Sequence, residues 1–261
     1  TFGVGMQLAN GCGSGTLYTV GGGSGRMLIA LLFFVIGSVF GSLSLPAFLA
    51  LGGVDPVLAS DYLGPWGGLA ATLASIAVAA ALIVAVAKRR GANYRPPRNY
   101  VIGGIAIGLL CVAVFAAGGH PWSVTYGYTL WGAKIFSALG YDFSHAGFWQ
   151  WPGNKQALAS SVLSDTSSLT DFGMLFGAMA AAAATKPFAT GAWPPAKSLL
   201  AAAVGGLLMG WGARLGFGCN IGAFVGGVAS GSLHGWFWFA AALPGCLIGI
   251  RLRPLFGLSR E

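Results

Sequence analysis

Two of the four cysteines in this 261-residue chain have neighbours that could do chemistry. Cys12 lies in "LANGCGSG" and Cys219 in "GFGCNIG". Asn10, Gly11, Gly13 and Ser14 surround the first, and Gly218 and Asn220 flank the second. A thiol is a weak donor with a soft, polarizable sulfur, suited to touching another sulfur. Glycine beside it lets a solute approach the backbone, and the asparagines can donate side-chain amides or cap the chain breaks. Cys111 in "GLLCVAV" and Cys246 in "LPGCLIG" sit inside apolar runs without such breaks and read as packing residues. Packing is also the plainer reading of Cys12 and Cys219, because cysteine often serves as a small hydrophobe.

Arg214, five residues before Cys219, is the one cation between two apolar runs. A charge in that position is a candidate attractant for an anion, unless its long stem carries it to an interface. His234 in "SGSLHGW" either faces a vestibule or makes a structural hydrogen bond, and the second is favoured. The three histidines, His120, His145 and His234, show no metal-ligand spacing with cysteine, and no Cys-x-x-Cys occurs, so metal and haem sites are not expected. There is no "GxxxxGK[ST]" loop to suggest ATP. No cofactor is expected, nor an enzyme.

Elements that cross a bilayer must position these residues. Hydrophobic residues make up 56% of the chain and charged residues 8%, with 44 glycines, whereas a soluble domain carries roughly 25% charged residues. Windows free of Asp, Glu, Lys and Arg cover 27–54, 62–87, 99–133, 172–185 and 198–213. A sixth, 215–250, is long enough for more than one crossing or a folded-back excursion, given about 20 residues per helical span. Unbroken runs such as "LAATLASIAVAAALIVAVA" exclude the alternating strands of a barrel. The net charge of +8 is not gathered into an aromatic-laced stripe, so nucleic acid is not the expected partner. The fold class is an all-α polytopic membrane protein in a single transmembrane domain, 1–261.

Cations set the expected orientation, since cytoplasmic loops retain Lys and Arg. Lys88, Arg89, Arg90, Arg95 and Arg98 form one cluster and Arg251, Arg253 and Arg260 another, and both are assigned to the cytoplasm, as is the C-terminus. The helices are then 27–50 outward from Arg26, 65–87 inward, 100–119 outward and 172–185 inward, with Lys186 and Lys197 bracketing an inner loop. The segment 120–171, rich in Trp, Tyr, Ser and Gly, reads as an interfacial or re-entrant region outside. The amino terminus has no initiating Met and no signal-peptide pattern, so upstream residues are expected.

An internal repeat links the two cysteine stretches. An offset of 207 superposes Cys12 on Cys219, Gly3 on Gly210, Gly5 on Gly212, Leu8 on Leu215, Gly11 on Gly218 and Gly15 on Gly222. The copies lie around 1–50 and 198–257, each a short apolar stretch, a Gly-rich break and a second short stretch before a full helix. Irregular backbone at membrane depth is tolerated only around a protein-lined or wet cavity, so the breaks mark a pathway. The charge-derived directions make the repeat inverted, with re-entrant half-helices and both cysteines near the midplane. Half-helix N-termini near 14–16 and 221–223 would receive an anion through their free N–H groups.

The stretches "GMQLANGCGSGTLYTVGGG" and "GARLGFGCNIGAFVGGVASGSLHGW" resemble the two signatures of the YeeE/YedE family of bacterial inner-membrane proteins. That resemblance implies thiosulfate uptake through an hourglass-shaped protein with inverted halves, the anion passing cysteines at the constriction, here Cys12 and Cys219. It also implies a cytoplasmic TusA-like sulfur carrier as partner. Family members have further helices and another cysteine ahead of the first signature, which this chain begins too late to contain. Two other classes stay open on the residues alone: a passive channel for another small anion or polar solute, and a thiol–disulfide oxidoreductase. The second is disfavoured because no vicinal dithiol is present. No base stands beside either cysteine to hold a thiolate, so transient sulfur contacts are expected and not a covalent adduct.

Overall fold

The computed structural model describes residues 1–53, 55–91, 96–185 and 193–259. The orientation cations Arg95, Lys186 and Arg260 lie outside the described residues. Among those described there is no named strand, only an isolated antiparallel bridge between Leu58 and Ser232.

The chain begins with two short helices, α1 (Phe2–Ala9) and α2 (Gly13–Gly21), followed by the long α3 (Gly25–Leu49). Next come α4 (Ala59–Arg89), α5 (Arg98–Gly118), α6 (Val124–Ala138), α7 (Gly147–Gln150), α8 (Pro152–Ala159) and α9 (Thr166–Thr185). The second signature folds as α10 (Ala196–Leu215), a π-helical turn (Asn220–Val225) continuing into α11 (Gly226–Ala229), and α12 (Leu233–Leu252). Among the described residues, five segments are long and apolar enough to cross a membrane: Gly25–Leu49, Ala59–Arg89, Arg98–Gly118, Ala196–Ala229 and Leu233–Phe256. The protein is an all-α polytopic membrane protein.

Local chemistry sets the boundaries. Ser24 and Ser232, the N-caps of α3 and α12, accept from the amides of Met27 and His234, which satisfies free donors of the first turn. In α4, Gly64 at φ 68° breaks the helix, and it restarts at Pro65, a residue preorganised for a first helical position. The long 215–250 window resolves into the folded-back turn and the single long helix α12.

Packing is densest where α10 crosses α3, with α1 wedged against α10 and α12. The glycines paired by the sequence repeat make reciprocal contacts. A Cβ on Gly3 would meet the backbone of Ala242 and Cys246 in α12, and one on Gly210 would meet the backbone of Phe34 and Ser38 in α3. Gly5 faces Gly205 and Met209 of α10, and Gly212 faces Phe2 of α1. Small residues here bring backbones together, the usual basis of helix association in lipid.

The long helices α3 and α12 run in opposite directions. Leu233 at the start of α12 donates to Val57, in the segment that follows α3. Arg253 just past the end of α12 and Arg26 at the start of α3 both reach the C-terminal end of α1. At the periphery, α4 buries only Gly68 and α5 buries nothing; side chains such as Trp66, Leu73, Ile83 and Leu110 are exposed. A helix apolar on every face suits lipid contact.

The segment 120–171, read from the sequence as interfacial or re-entrant, joins the packed bundle along part of its length. Its main helix, α6, packs against α3 and α9 and holds Val124, Tyr128, Leu130 and Ala133 fully out of contact with solvent. The reason is local: Gly132 lets α6 close on Val35 and Val39, and Gly127 leaves room for the Asp171 carboxyl.

Candidate functional site

The site starts from two chain breaks with the same backbone. Helix α1 ends at Asn10, which adopts a left-handed conformation (φ 66°), and α10 ends before Phe217, which does the same (φ 55°). Among the described residues these are the two non-glycine positions with positive φ, and they are 207 apart. Left-handed backbone costs an L-residue about 1 kcal/mol, so its recurrence marks a required geometry. Gly11 N–H then returns to the Met6 carbonyl at 3.1 Å and Gly218 N–H to that of Ala213 at 2.8 Å, the bond that closes a Schellman-type helix end. Each cysteine follows in extended conformation (Cys12 φ −93°, Cys219 φ −108°) and starts the next helical segment. The Cys12 carbonyl accepts from Thr16 N–H, and the Cys219 carbonyl from Ala223 N–H, both at 2.8 Å.

The two breaks meet at Gly13. A Cβ placed there would lie 3.3 Å from both Cβ and Sγ of Cys219, a tight contact, so glycine lets the first residue of α2 rest closely against the second cysteine. The thiols therefore flank one glycine, and both are free. Cys12 is half-buried; its sulfur accepts from Gly15 N–H at 3.4 Å and lies 3.5 Å from the Ser14 hydroxyl. Cys219 is fully buried, with the amides of Ile221 and Gly222 facing its sulfur. From α6, the buried Tyr128 hydroxyl donates to the Gly13 carbonyl at 3.0 Å, and the Thr125 methyl packs on the same glycine.

Around this centre the polar groups are unevenly satisfied. Arg214 is buried, its guanidinium 5.1 Å above the ring of Phe148, and its Nε and Nη1 have no hydrogen-bond partner among the described residues. Asn220 Oδ1 is likewise buried and unpartnered. Asn10 is exposed, and its side-chain oxygen accepts from Arg253 Nη1 at 3.1 Å, so it belongs to the end of α1. Arg26 and Arg253 together engage the Gln7, Leu8 and Ala9 carbonyls there. His234 places Nε2 3.2 Å from the Gly216 carbonyl and its ring edge-on to Phe217, which gives it a structural hydrogen bond at the end of α10.

The structure thus brings Cys12, Gly13, Ser14 and Cys219 to one place and keeps Gly11 and Gly218 as the turns that bend the chain into it. Cys111 and Cys246 lie in α5 and α12, away from either break. Three neighbours went unseen in the sequence: Tyr128, Thr125 and the buried Asp171, whose Oδ1 accepts from Trp122 Nε1 at 3.0 Å. The signal available for Asp171 was its place as an acid directly ahead of the apolar run 172–185. For Tyr128 there was none. No group of three or more His, Cys, Asp or Glu side chains suited to a metal occurs among the described residues.

Known proteins resemble the chain in sequence. A family described as sulphur transport matches residues 1–248. The "Probable transporter YedE" of Escherichia coli (strain K12) is 32% identical over 154 residues, covering 58% of this chain and 37% of that protein. The YedE protein of Salmonella typhimurium (strain LT2) aligns to the same extent at 32% identity. The "Thiosulfate transporter TsuA" of Spirochaeta thermophila is 28% identical over 254 residues, 90% of this chain and 70% of that protein. The aligned part spans 37% of the length of the YedE relatives.

Proposed function

On the premise that this chain belongs to the sulphur transport family of membrane proteins, transporters and not enzymes, we propose that it takes up thiosulfate through a constriction formed by Cys12 and Cys219. The observation that carries this reading is the convergence of both cysteines on Gly13. Thiosulfate has a soft terminal sulfur at one end and hard sulfonate oxygens at the other. The thiols suit the sulfur, and the N-terminal amides of α2 suit the oxygens, with the Ser14 hydroxyl beside them. Asn220 adds a side-chain amide at the edge of the site. Arg214, a buried cation whose Nε and Nη1 lack partners, supplies attraction for a dianion without a competing carboxylate. The TsuA relative, named a thiosulfate transporter, agrees with this choice.

The matching breaks, the reciprocal glycine contacts and the opposed α3 and α12 support two inverted halves around the constriction, an hourglass in outline. Arg26 and Arg253 meeting at one end of α1 supports putting that end, and the C-terminus, in the cytoplasm of a bacterial inner membrane. A TusA-like carrier receiving the sulfur there rests on the family resemblance. Contact with the thiols is transient, because the neighbours of Cys12 are a hydroxyl and an amide and not a base.

The test is labelled thiosulfate uptake, with thiosulfate-dependent growth, by the full-length protein in bacteria lacking other sulfate and thiosulfate importers. Cys12→Ala and Cys219→Ala should abolish uptake at normal membrane levels, and Cys111→Ala should retain it. Full uptake in all three variants reduces the cysteines to packing and favours a passive channel. No thiosulfate uptake by the parent protein rejects the substrate.

A further inference from the structure

Asp171 is the acid that the transport reading leaves without a task. It sits in α9, is 0% exposed, and receives one hydrogen bond, from Trp122 Nε1 to Oδ1. Its other oxygen, Oδ2, is buried, has no hydrogen-bond partner among the described residues, and points at Gly127 of α6, where a side chain would overlap it. The titratable groups facing it are Tyr128 of α6, Cys219 at the second break and Asp165 just ahead of α9, and none is a cation. Helix α2, also packed on α9, carries Tyr18 on its exposed side and is preceded by Cys12, which bears on the same Tyr128. The cation of α6, Lys134, is engaged by the Leu158 and Ser160 carbonyls.

An ionised carboxylate so enclosed, without a counter-ion, is strongly disfavoured, and proton-relay acids of pumps and transporters are found in such places. The second consideration is position. Asp171 packs against Gly127, the neighbour of Tyr128, whose hydroxyl donates to Gly13 of the constriction, and both Tyr128 and Cys219, which touches Gly13, lie within range of its charge. A dianion between the cysteines and a negative charge on Asp171 repel each other across that buried span. The two charges exclude one another, so a proton on Asp171 and an anion in the constriction favour each other reciprocally.

We propose that Asp171 is a proton-binding site that couples anion passage to proton movement: the proton rests on Oδ2 while the anion occupies the Cys12–Cys219 constriction, and both are released to the same side. The proposal rests on the transport reading and goes beyond it by naming the driving ion. It makes this protein a symporter of protons with a sulfur oxyanion.

The experiment uses the full-length protein in proteoliposomes with the membrane voltage clamped, following labelled thiosulfate and a trapped pH dye together. Wild-type protein should acidify the lumen as thiosulfate enters, and an inward gradient of about one pH unit should raise steady-state accumulation about tenfold per coupled proton. Asp171→Asn, a neutral isostere, should still equilibrate thiosulfate down its gradient while losing the proton signal and the response to pH. Asp171→Glu should keep both. Thiosulfate uptake by wild type without proton movement overturns the proposal, as does Asp171→Asn carrying the wild-type number of protons. If Asp171→Asn fails to insert, the wild-type proton-to-thiosulfate ratio alone decides, with a ratio of zero against. A wild-type protein that moves no thiosulfate overturns the substrate reading instead, a result distinguishable because no flux of either species is then seen.

Discussion

Around Cys12 and around Cys219 the chain turns the same way, yet the two surroundings differ in nearly every side chain. At the first break the sulfur is half-buried, a serine hydroxyl stands beside it, and two arginines secure the end of the preceding helix. At the second the sulfur is fully buried, the helix end is held by His234, and Arg214 in the last turn of that helix has donors with no partner among the described residues. The repeat therefore specifies the backbone of the constriction, and divergence between the copies decides where charge is satisfied and where it is left available. A cation with unmet donors stands on the Cys219 side, and engaged cations stand on the Cys12 side.

The shared backbone is the easiest part to break. Gly210→Leu and Gly3→Leu should each destabilise the fold by about 3 kcal/mol, because the added side chain meets the backbone of the other copy's long helix. Gly108→Leu in α5, where nothing lies within 4 Å, should leave the melting temperature in detergent unchanged. Equal loss at Gly3 and Gly210 confirms the reciprocity; loss at only one breaks it.

The two kinds of arginine should separate by sign. Arg26→Met removes hydrogen bonds to the Leu8 and Ala9 carbonyls and should cost about 1–2 kcal/mol of stability. Arg214→Met removes a buried charge with unmet donors, so stability should hold or rise while the half-saturation for thiosulfate rises about tenfold, or about 1.4 kcal/mol. A large loss of stability in Arg214→Met would remove the contrast. The smallest effect belongs to His234→Gln, which keeps a donor for the Gly216 carbonyl: a change of about 0.5 kcal/mol or less in melting, with uptake unaltered.

Much of the architecture is legible in composition, because apolar windows of about 20 residues have few outcomes other than a membrane helix. The windows 27–54, 62–87 and 198–213 become α3, α4 and α10. The glycine identities are legible as a pattern, though their reason is a close approach between helices some 200 positions apart, which no local rule contains. The centre of the site was half legible. Glycine and cysteine advertise a break locally, but Tyr128 reaches Gly13 across 115 residues and Asp171 reaches Trp122 across 49, through packing that leaves no mark on either stretch alone. The aromatics of 120–171 are ambiguous for the same reason. Tyr and Trp suit a headgroup belt and a buried hydrogen bond equally well, and only the glycines at 127 and 132 favour burial.

The central claim is that thiosulfate sits beside Cys12 on its way past Cys219, and protection of a single thiol tests it most directly. In the full-length protein that keeps both Cys12 and the buried Cys219, alkylation of Cys12 by a small polar reagent, read by mass spectrometry of its peptide, should be slowed by thiosulfate in a saturable way and less by sulfate, while alkylation of Cys111 is unaffected. Alkylation of Cys12 at the same rate with and without thiosulfate would contradict the account.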